Sequence, residues 1–272
     1  MNKLTIDEAK KIELNILVDI DDYCRKNNLQ YFLWGGTLLG SVRHHGFIPW
    51  DDDIDIVMPR EDYDYFIHHY DNDRYGVQSC ETNKLYPYWF AKAFDKRTKK
   101  VEPIAVSKKF DIGVDVDIFP IDLFCDKYKV EKTVEKRKCL KQTWRISIWK
   151  YTRAENLLKR IRRMTISSFR AILKSLGIAQ PNRIARTINR IGKSFVGEAN
   201  DYMLYADSNI NKPLYLDKNI FSDVLKQPFE DYFFNIPSEY DALLTQIYGD
   251  YMTPPPPEKR VAHHLNSMYW RD

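Results

Sequence analysis

The 272-residue sequence predicts a mixed α+β fold: a core sheet flanked by helices, with a basic helical insertion. Three observations carry this. The N-terminal segment has apolar residues at helical spacing. Several short apolar runs downstream are closed by glycine or proline, as strands are. A long middle stretch is again helical in period and strongly basic.

Thr5 with Glu8 three residues later forms a capping box, and Ile12, Ile16, Leu17 and Ile20 continue one helical stripe to about Asn27-Asn28. Tyr31 to Trp34 reads as a short buried strand stopped by Gly35-Gly36, with a helix expected from Thr37 to about Arg43. Ile54 to Met58 is a second strand, ended by Pro59, and Glu61 to His69 should be helical. Weaker strand signals lie at Tyr75–Cys80, Trp89–Ala93 and Ile112–Phe119. Pro213 opens a stretch expected to be irregular. A last helix runs from Ser238 through Tyr248, with Gly249 as its C-terminal cap. Pro254 to Pro257 should form a polyproline segment. No internal repeat is visible.

Hydrophobic residues make up 44% and aromatics 14% of the chain, too much apolar area for a disordered protein. No apolar run approaches the length of a membrane span, and the N-terminus lacks the apolar stretch of a signal peptide. Cys24, Cys80, Cys125 and Cys139 are far apart, which excludes the usual zinc frameworks and fits a reducing cytoplasm. The net charge of +4 hides a division: residues 127–193 carry +17 and the rest −13. Within the basic segment, Leu140, Trp144, Ile148, Leu157, Ile161, Met164, Phe169 and Leu173 recur at spacings close to helical, with basic residues between them. That pattern suits an anionic membrane surface. It also suits nucleic-acid phosphates or a solvated face packed on its own core.

The chemistry is most visible in GGTLLGSVRHHGFIPWDDDIDIVM. In a strand, Asp53 and Asp55 would share one face while Ile54 and Ile56 point to the core. Asp51, Asp52, Asp53 and Asp55 place four carboxylates in five residues between apolar flanks. Such a cluster calls for a cation or for protonation, and a hard divalent ion such as Mg²⁺ takes carboxylate oxygens. An acidic solvated turn is the plain alternative. Gly35-Gly36-Thr37, between a strand and a helix, would let backbone N–H groups approach a phosphate. A second acidic strand, Gly113 to Pro120, offers Asp115 and Asp117. Three acids from two strands beside a glycine turn resemble the nucleotidyltransferase superfamily arrangement.

The resemblance narrows further. GTLLGSVRHHGFIPWDDDIDIVMPREDYDYF, then VDVDIFPID, then YGDYMTPPPPEKRVAHH look like the LicD family of phosphocholine transferases, to which the fukutin-type transferases are related. The match runs through the first 125 residues and again through about 229–264. It implies a nucleotidyltransferase-like catalytic core at 1–126, a basic helical region at 127–212 facing membrane or acceptor, and a C-terminal segment at 213–272 completing the core. It also implies transfer of a phospho-alcohol from a CDP-linked donor to a sugar hydroxyl, with release of CMP. Asp115 departs from the apolar residue expected there, and Asp117 is chosen as the third acid.

On this resemblance Asp53, Asp55 and Asp117 are the catalytic and metal-binding residues, for one or two Mg²⁺ ions, and Asp117 takes the acceptor proton. Asp51 either assists or holds metal-bound water. Gly35, Gly36 and Thr37 position the diphosphate. Arg43 and His44 would reach phosphate oxygens, although His44 and His45 serve equally well as solvated side chains. Lys92 is a further candidate, with structural ion pairing as its alternative. Choline would need aromatic faces, for which Tyr88 and Trp89 are the first candidates, with Tyr86, Phe90, Trp34 and Trp50 nearby. The same residues would also serve as core. His263 and His264 read ordinarily as an exposed tail, and the resemblance implies that this tail folds back over the site. The expected donor is CDP-choline, with CDP-linked ribitol, glycerol or ethanolamine as alternatives. The acceptor is expected to be a polyprenyl-linked glycan repeat, as in teichoic acid, capsule or lipopolysaccharide. The protein is expected to sit peripherally on the inner face of the plasma membrane through residues 127–193. Nucleic acid is not an expected partner, because the long match at 35–62 disfavours that reading.

Overall fold

The computed structural model describes residues 2–101, 109–124, 127–148, 157–177, 180–193, 202–205, 216–260 and 267–272. Helix α1 (Ile6–Asn27) begins at the Thr5–Glu8 capping box and ends at Asn28 in the left-handed conformation. Its buried stripe includes Ile12, Ile16, Leu17 and Ile20. Strand β1 (Phe32–Leu33) leads into α2 (Gly35–His44), then β2 (Asp55–Pro59) and α3 (Arg60–His69). Strands β3 (Tyr75–Gln78), β4 (Ala91–Asp95), β5 (Thr98–Val101) and β6 (Asp115–Phe124) follow. The basic region supplies α4 (Lys127–Ile148), α5 (Leu157–Ser175) and α6 (Pro181–Lys193). After β7 (Tyr202–Tyr205) and β8 (Leu216–Asp217) come β9 (Val224–Phe229), β10 (Tyr232–Pro237), α7 (Tyr240–Tyr248) and β11 (Ser267–Trp270).

The main sheet runs β1-β2-β6-β4-β3, with β7 pairing the far half of β6 and β8 pairing β7. Strand β6 is central. It lies parallel to β2, with Asp55 opposite Asp117, and antiparallel to β4, with Lys92 opposite Asp117. Alternation sends Val116 and Ile118 of β6 and Ile56 of β2 to the face away from Asp117 and Asp55, and all three are fully buried, as is Ile54.

Several expectations are corrected. Strand β2 begins at Asp55, so Asp53 precedes the strand instead of lying on it. Strand β6 starts later than expected and reaches Phe124, and β4 is shifted to Ala91–Asp95. Residues 224–237, inside the stretch expected to be irregular, form the β9–β10 hairpin. The hairpin packs on α2 and the segment after it: Ser41 Oγ donates to the Pro228 carbonyl (2.8 Å) and the Phe47 amide donates to Glu230 Oε1 (3.0 Å). The proline run passes into a short 3-10 turn at Pro257–Lys259. The chain end returns as β11 to pair with β5, and the Leu4 amide donates to the Met268 carbonyl there.

The basic region divides into elements with different surroundings. Helix α4 docks on the core: Trp144 Nε1 donates to the Pro87 carbonyl (2.6 Å), and buried Arg137 pairs with Asp122 at 2.6 Å. Helix α6 docks through Ile184, Ala185 and Ile188, all buried. Helix α5, by contrast, exposes Ile161, Met164, Phe169 and Ile172, each more than half open to solvent. No helix among the described residues is long and apolar enough to cross a membrane.

Candidate active site

The site forms where β2 and β6 lie side by side. Their parallel register puts Asp55 and Asp117 opposite one another on the same half-buried sheet face. Just before β2, the carboxylates of Asp51, Asp52 and Asp53 gather, with an oxygen of each within 4.8 Å of the others. The glycine turn closes onto these acids. Gly35 has φ +53°, a region that favours glycine, and a Cβ there would stand 3.4 Å from Asp55 Oδ2. A Cβ on Gly36 would collide with the Asp51 carboxylate. Thr37 Oγ1 accepts the Asp55 amide at 2.8 Å, which ties the start of α2 to the start of β2.

The electrostatics follow from this crowding. Burial raises the Asp55 carboxyl well above the usual carboxylate range, and Asp53, Asp117 and Asp51 push it the same way. Asp117 is raised to about 6, chiefly by burial, against the pull of Lys92. Lys92 bridges Asp117 and Asp115, lying 2.6 Å from Asp115 Oδ2. Asp115 is fully buried and also pairs with Lys100; burial raises its carboxyl, but Lys100 and Lys92 outweigh that and hold it low. Thus Asp117 faces Asp55, while Asp115 anchors two lysines. Asp51, Asp52 and Asp53 bring carboxylate oxygens close enough to hold a hard divalent cation, and Asp55 and Asp117 face one another beside them.

The remaining sequence candidates are spread around this centre. Arg43 Nη1 donates to the Tyr251 carbonyl (2.6 Å), and its Nε donates to His44 Nε2 (2.9 Å). Burial, Arg43 and His45 lower the His44 imidazole. Tyr88 and Trp89 are buried in an aromatic cluster with Phe90 and Trp144. Lys92 Nζ stands 5.3 Å from the Tyr88 ring centroid, and Lys141 Nζ stands 5.0 Å from that of Trp89. Tyr86 is part of the core, as is Trp34. His263 and His264 lie outside the described residues.

Three residues near the acids were not found from sequence. A Cβ on Gly35 would lie 3.9 Å from the Tyr248 hydroxyl, which is raised by burial and by Asp55, Asp51 and Asp53. Lys100 pairs with Asp115. Glu13, on α1, is 1% exposed, and its carboxyl is raised well above the usual range by burial, with Asp53, Asp115 and Asp52 adding to the effect.

The chain is 30% identical over 275 residues to a lipopolysaccharide cholinephosphotransferase LicD from Haemophilus influenzae, covering 99% of both chains. The chain belongs to the LicD family. The domain described as "LicD/FKTN/FKRP, nucleotidyltransferase domain" matches residues 28–161, the part that contains the glycine turn and Asp51, Asp52, Asp53, Asp55, Asp115 and Asp117. Uncharacterized proteins from Rickettsia typhi and Rickettsia prowazekii are 42% identical over 67 residues and 43% identical over 63 residues. Those segments are 24% and 23% of this chain, and 22% and 24% of theirs. As a LicD-family member the chain is a phosphotransferase.

Proposed function

We propose that the chain transfers phosphocholine from CDP-choline to a sugar hydroxyl of a lipid-linked surface-glycopolymer precursor, such as teichoic acid, and releases CMP. The observation that carries this reading is the parallel register of Asp55 and Asp117 beside the Gly35-Gly36 turn. The full-length relative, whose name states cholinephosphotransfer to lipopolysaccharide, supports the phosphocholine group.

Asp53, Asp55 and Asp117 would hold Mg²⁺, whose charge, when bound, would stabilise the diphosphate and the departing CMP oxygen. The acceptor oxygen attacks the phosphorus that bears choline, the bond from that phosphorus to the CMP oxygen breaks, and the acceptor proton passes to the Asp117 carboxylate. A carboxyl at about 6 in the bare site is ionised at neutral pH, and bound Mg²⁺ would lower it further, so it would be free to accept that proton. Lys92 holds Asp117 in place, Gly35, Gly36 and Thr37 shape the diphosphate site, and Arg43 with His44 lies toward the phosphate oxygens. The sequence makes Tyr88 and Trp89 the first candidates to hold the choline group. Their rings carry Lys92 and Lys141, which favours a second reading in which the donor bears ribitol, glycerol or ethanolamine.

The protein would act peripherally at the inner membrane face. Helix α5 is the element suited to that, because its apolar stripe is open to solvent. Leu157–Ser175 also carries six basic residues and no acid.

The test is CMP release by purified protein with a panel of CDP-alcohols, with Mg²⁺ and with chelator. Metal-dependent release from CDP-choline is expected. Release that ignores chelation, or turnover of ATP or CTP with none of any CDP-alcohol, would reject the reading.

A further inference from the structure

A quaternary ammonium group cannot donate a hydrogen bond, so a protein holds it on aromatic faces and near carboxylates. At Tyr88 and Trp89 those positions are taken by buried lysines, one of them locked between Asp115 and Asp117. A different aromatic surface lies on the other flank of the acids. A cleft of about 340 Å³ opens between α2, the Ile48–Asp51 segment and the chain after α7. Trp50, Tyr248 and Tyr251 line it, together with Asp51, Asp250 and Arg43. Gly36 and Asp51 belong both to this cleft and to the acid centre, so the two are continuous.

The indole of Trp50 already carries a cation. The Arg260 guanidinium stands 5.2 Å from its centroid. Arg260 is exposed, and its Nε donates to the Pro255 carbonyl at 2.8 Å. Unlike Lys92, it can leave the ring for water without stranding a buried charge.

We propose that this cleft binds the headgroup of the donor. Its ligand is the phosphate ester of a quaternary ammonium alcohol, with the ammonium on Trp50 between Asp51 and Asp250 and the phosphate toward Arg43. The proposal rests on the CDP-alcohol reading above and assigns its specificity. The cleft carries both signs of charge, as does phosphocholine. Ribitol and glycerol phosphates present hydroxyls in place of a cation, and an indole face offers those little. The Tyr248 ring, partly open to solvent, lines the same cleft and adds a second aromatic face at its junction with the acids.

Calorimetry with phosphocholine, glycerol phosphate and inorganic phosphate, in the presence of Mg²⁺, tests the site without turnover. Wild type should prefer phosphocholine. Trp50→Leu should weaken phosphocholine by about tenfold, the scale of one desolvated cation–π contact, and leave inorganic phosphate unchanged. Trp50→Phe should restore most of the loss. Asp250→Asn, at an exposed position, provides the same test without touching packing and should weaken phosphocholine alone. In turnover, Trp50→Leu should raise KM for CDP-choline with kcat little changed. Equal weakening of all three phosphates, or wild-type affinity for phosphocholine in both Trp50→Leu and Asp250→Asn, would overturn the assignment. If wild type binds phosphocholine selectively yet releases CMP from no CDP-alcohol, the reaction reading fails while the site stands.

Discussion

Asp117 is pulled two ways: burial raises its carboxyl while Lys92 lowers it, and the balance rests at about 6. A base must be deprotonated to act, so kcat is expected to rise with pH along an acid limb and then level off, the limb lying below about 6 once Mg²⁺ holds the same carboxylate. Asp117→Asn should remove that limb and lower kcat by roughly 10²–10⁴-fold with the thermal transition retained. A pH–rate profile of both proteins checks this, and an unchanged limb in the variant would assign it to another group. Glu13 gives a stability counterpart. Its folded carboxyl is raised well above 4.5, so the folded state holds a proton that the unfolded state releases, and stability falls as pH rises above about 4.5. Glu13→Gln removes that loss. It should melt higher than wild type at pH 8, by roughly 2–4 °C per kcal/mol relieved, and the gap should close toward pH 4.5. Much of the acid geometry was legible in sequence because it is local: a glycine pair, an Asp-x-Asp and an acid between two apolar strand residues. Tyr248 and Lys100 were not, because each reaches the site through a tertiary approach that no local spacing encodes.

Among elements, strands with apolar runs closed by Gly or Pro were readable within a few residues. The β9–β10 hairpin was not, for three physical reasons. Val224, Leu225 and Phe233 point to solvent, Pro228 interrupts the run, and the turn uses Glu230 at φ +53° in place of the usual Asn-Gly or Asp-Gly. Charge and period likewise marked the basic region as one unit, whereas α4 and α6 turn part of their basic residues inward: Arg137 toward Asp122, and Lys193 toward Glu81. Only for α5 do the described residues show an open apolar stripe. Vesicle flotation should therefore depend on α5. Phe169→Ser with Ile172→Ser should abolish binding to phosphatidylglycerol vesicles and leave the thermal transition in place, because both side chains are already solvent-exposed. Retained flotation in the double variant would move the membrane contact elsewhere. A concentration-dependent dimer of wild type, lost in the variant, would assign the stripe to a second copy instead.

Across the whole molecule, one buried ion network ties the basic helices to the sheet. Asp122 of β6 is fully buried. It accepts from Arg60 of α3 at 2.6 and 2.8 Å and from Arg137 of α4 at 2.6 Å, while Arg60 also donates to Asn189 of α6. A Cβ on Gly192 would collide with the Asp122 carboxylate, so α6 can approach this closely only with glycine there. The four elements are thus held by one carboxylate between two guanidinium groups, all nearly free of solvent contact. Removing the carboxylate takes the ion pair from buried Arg137 and leaves buried Arg60 only Asp64, 3.6 Å away, and Asn189, and breaking a buried pair in this way costs about 3–5 kcal/mol. Removing Arg137 is a different case: its Nε and Nη1 are buried without hydrogen-bond partners, so its loss relieves a desolvation penalty and leaves Asp122 paired with Arg60. Urea unfolding should therefore rank Asp122→Ala as far more destabilising than Arg137→Met, although both break the same contact. Equal losses would show that the pair acts only through its mutual attraction. If Asp122→Ala also splits the single transition in two, with the first phase lost in a variant lacking α4–α6 packing, the carboxylate couples the basic helices to the catalytic sheet in one cooperative unit.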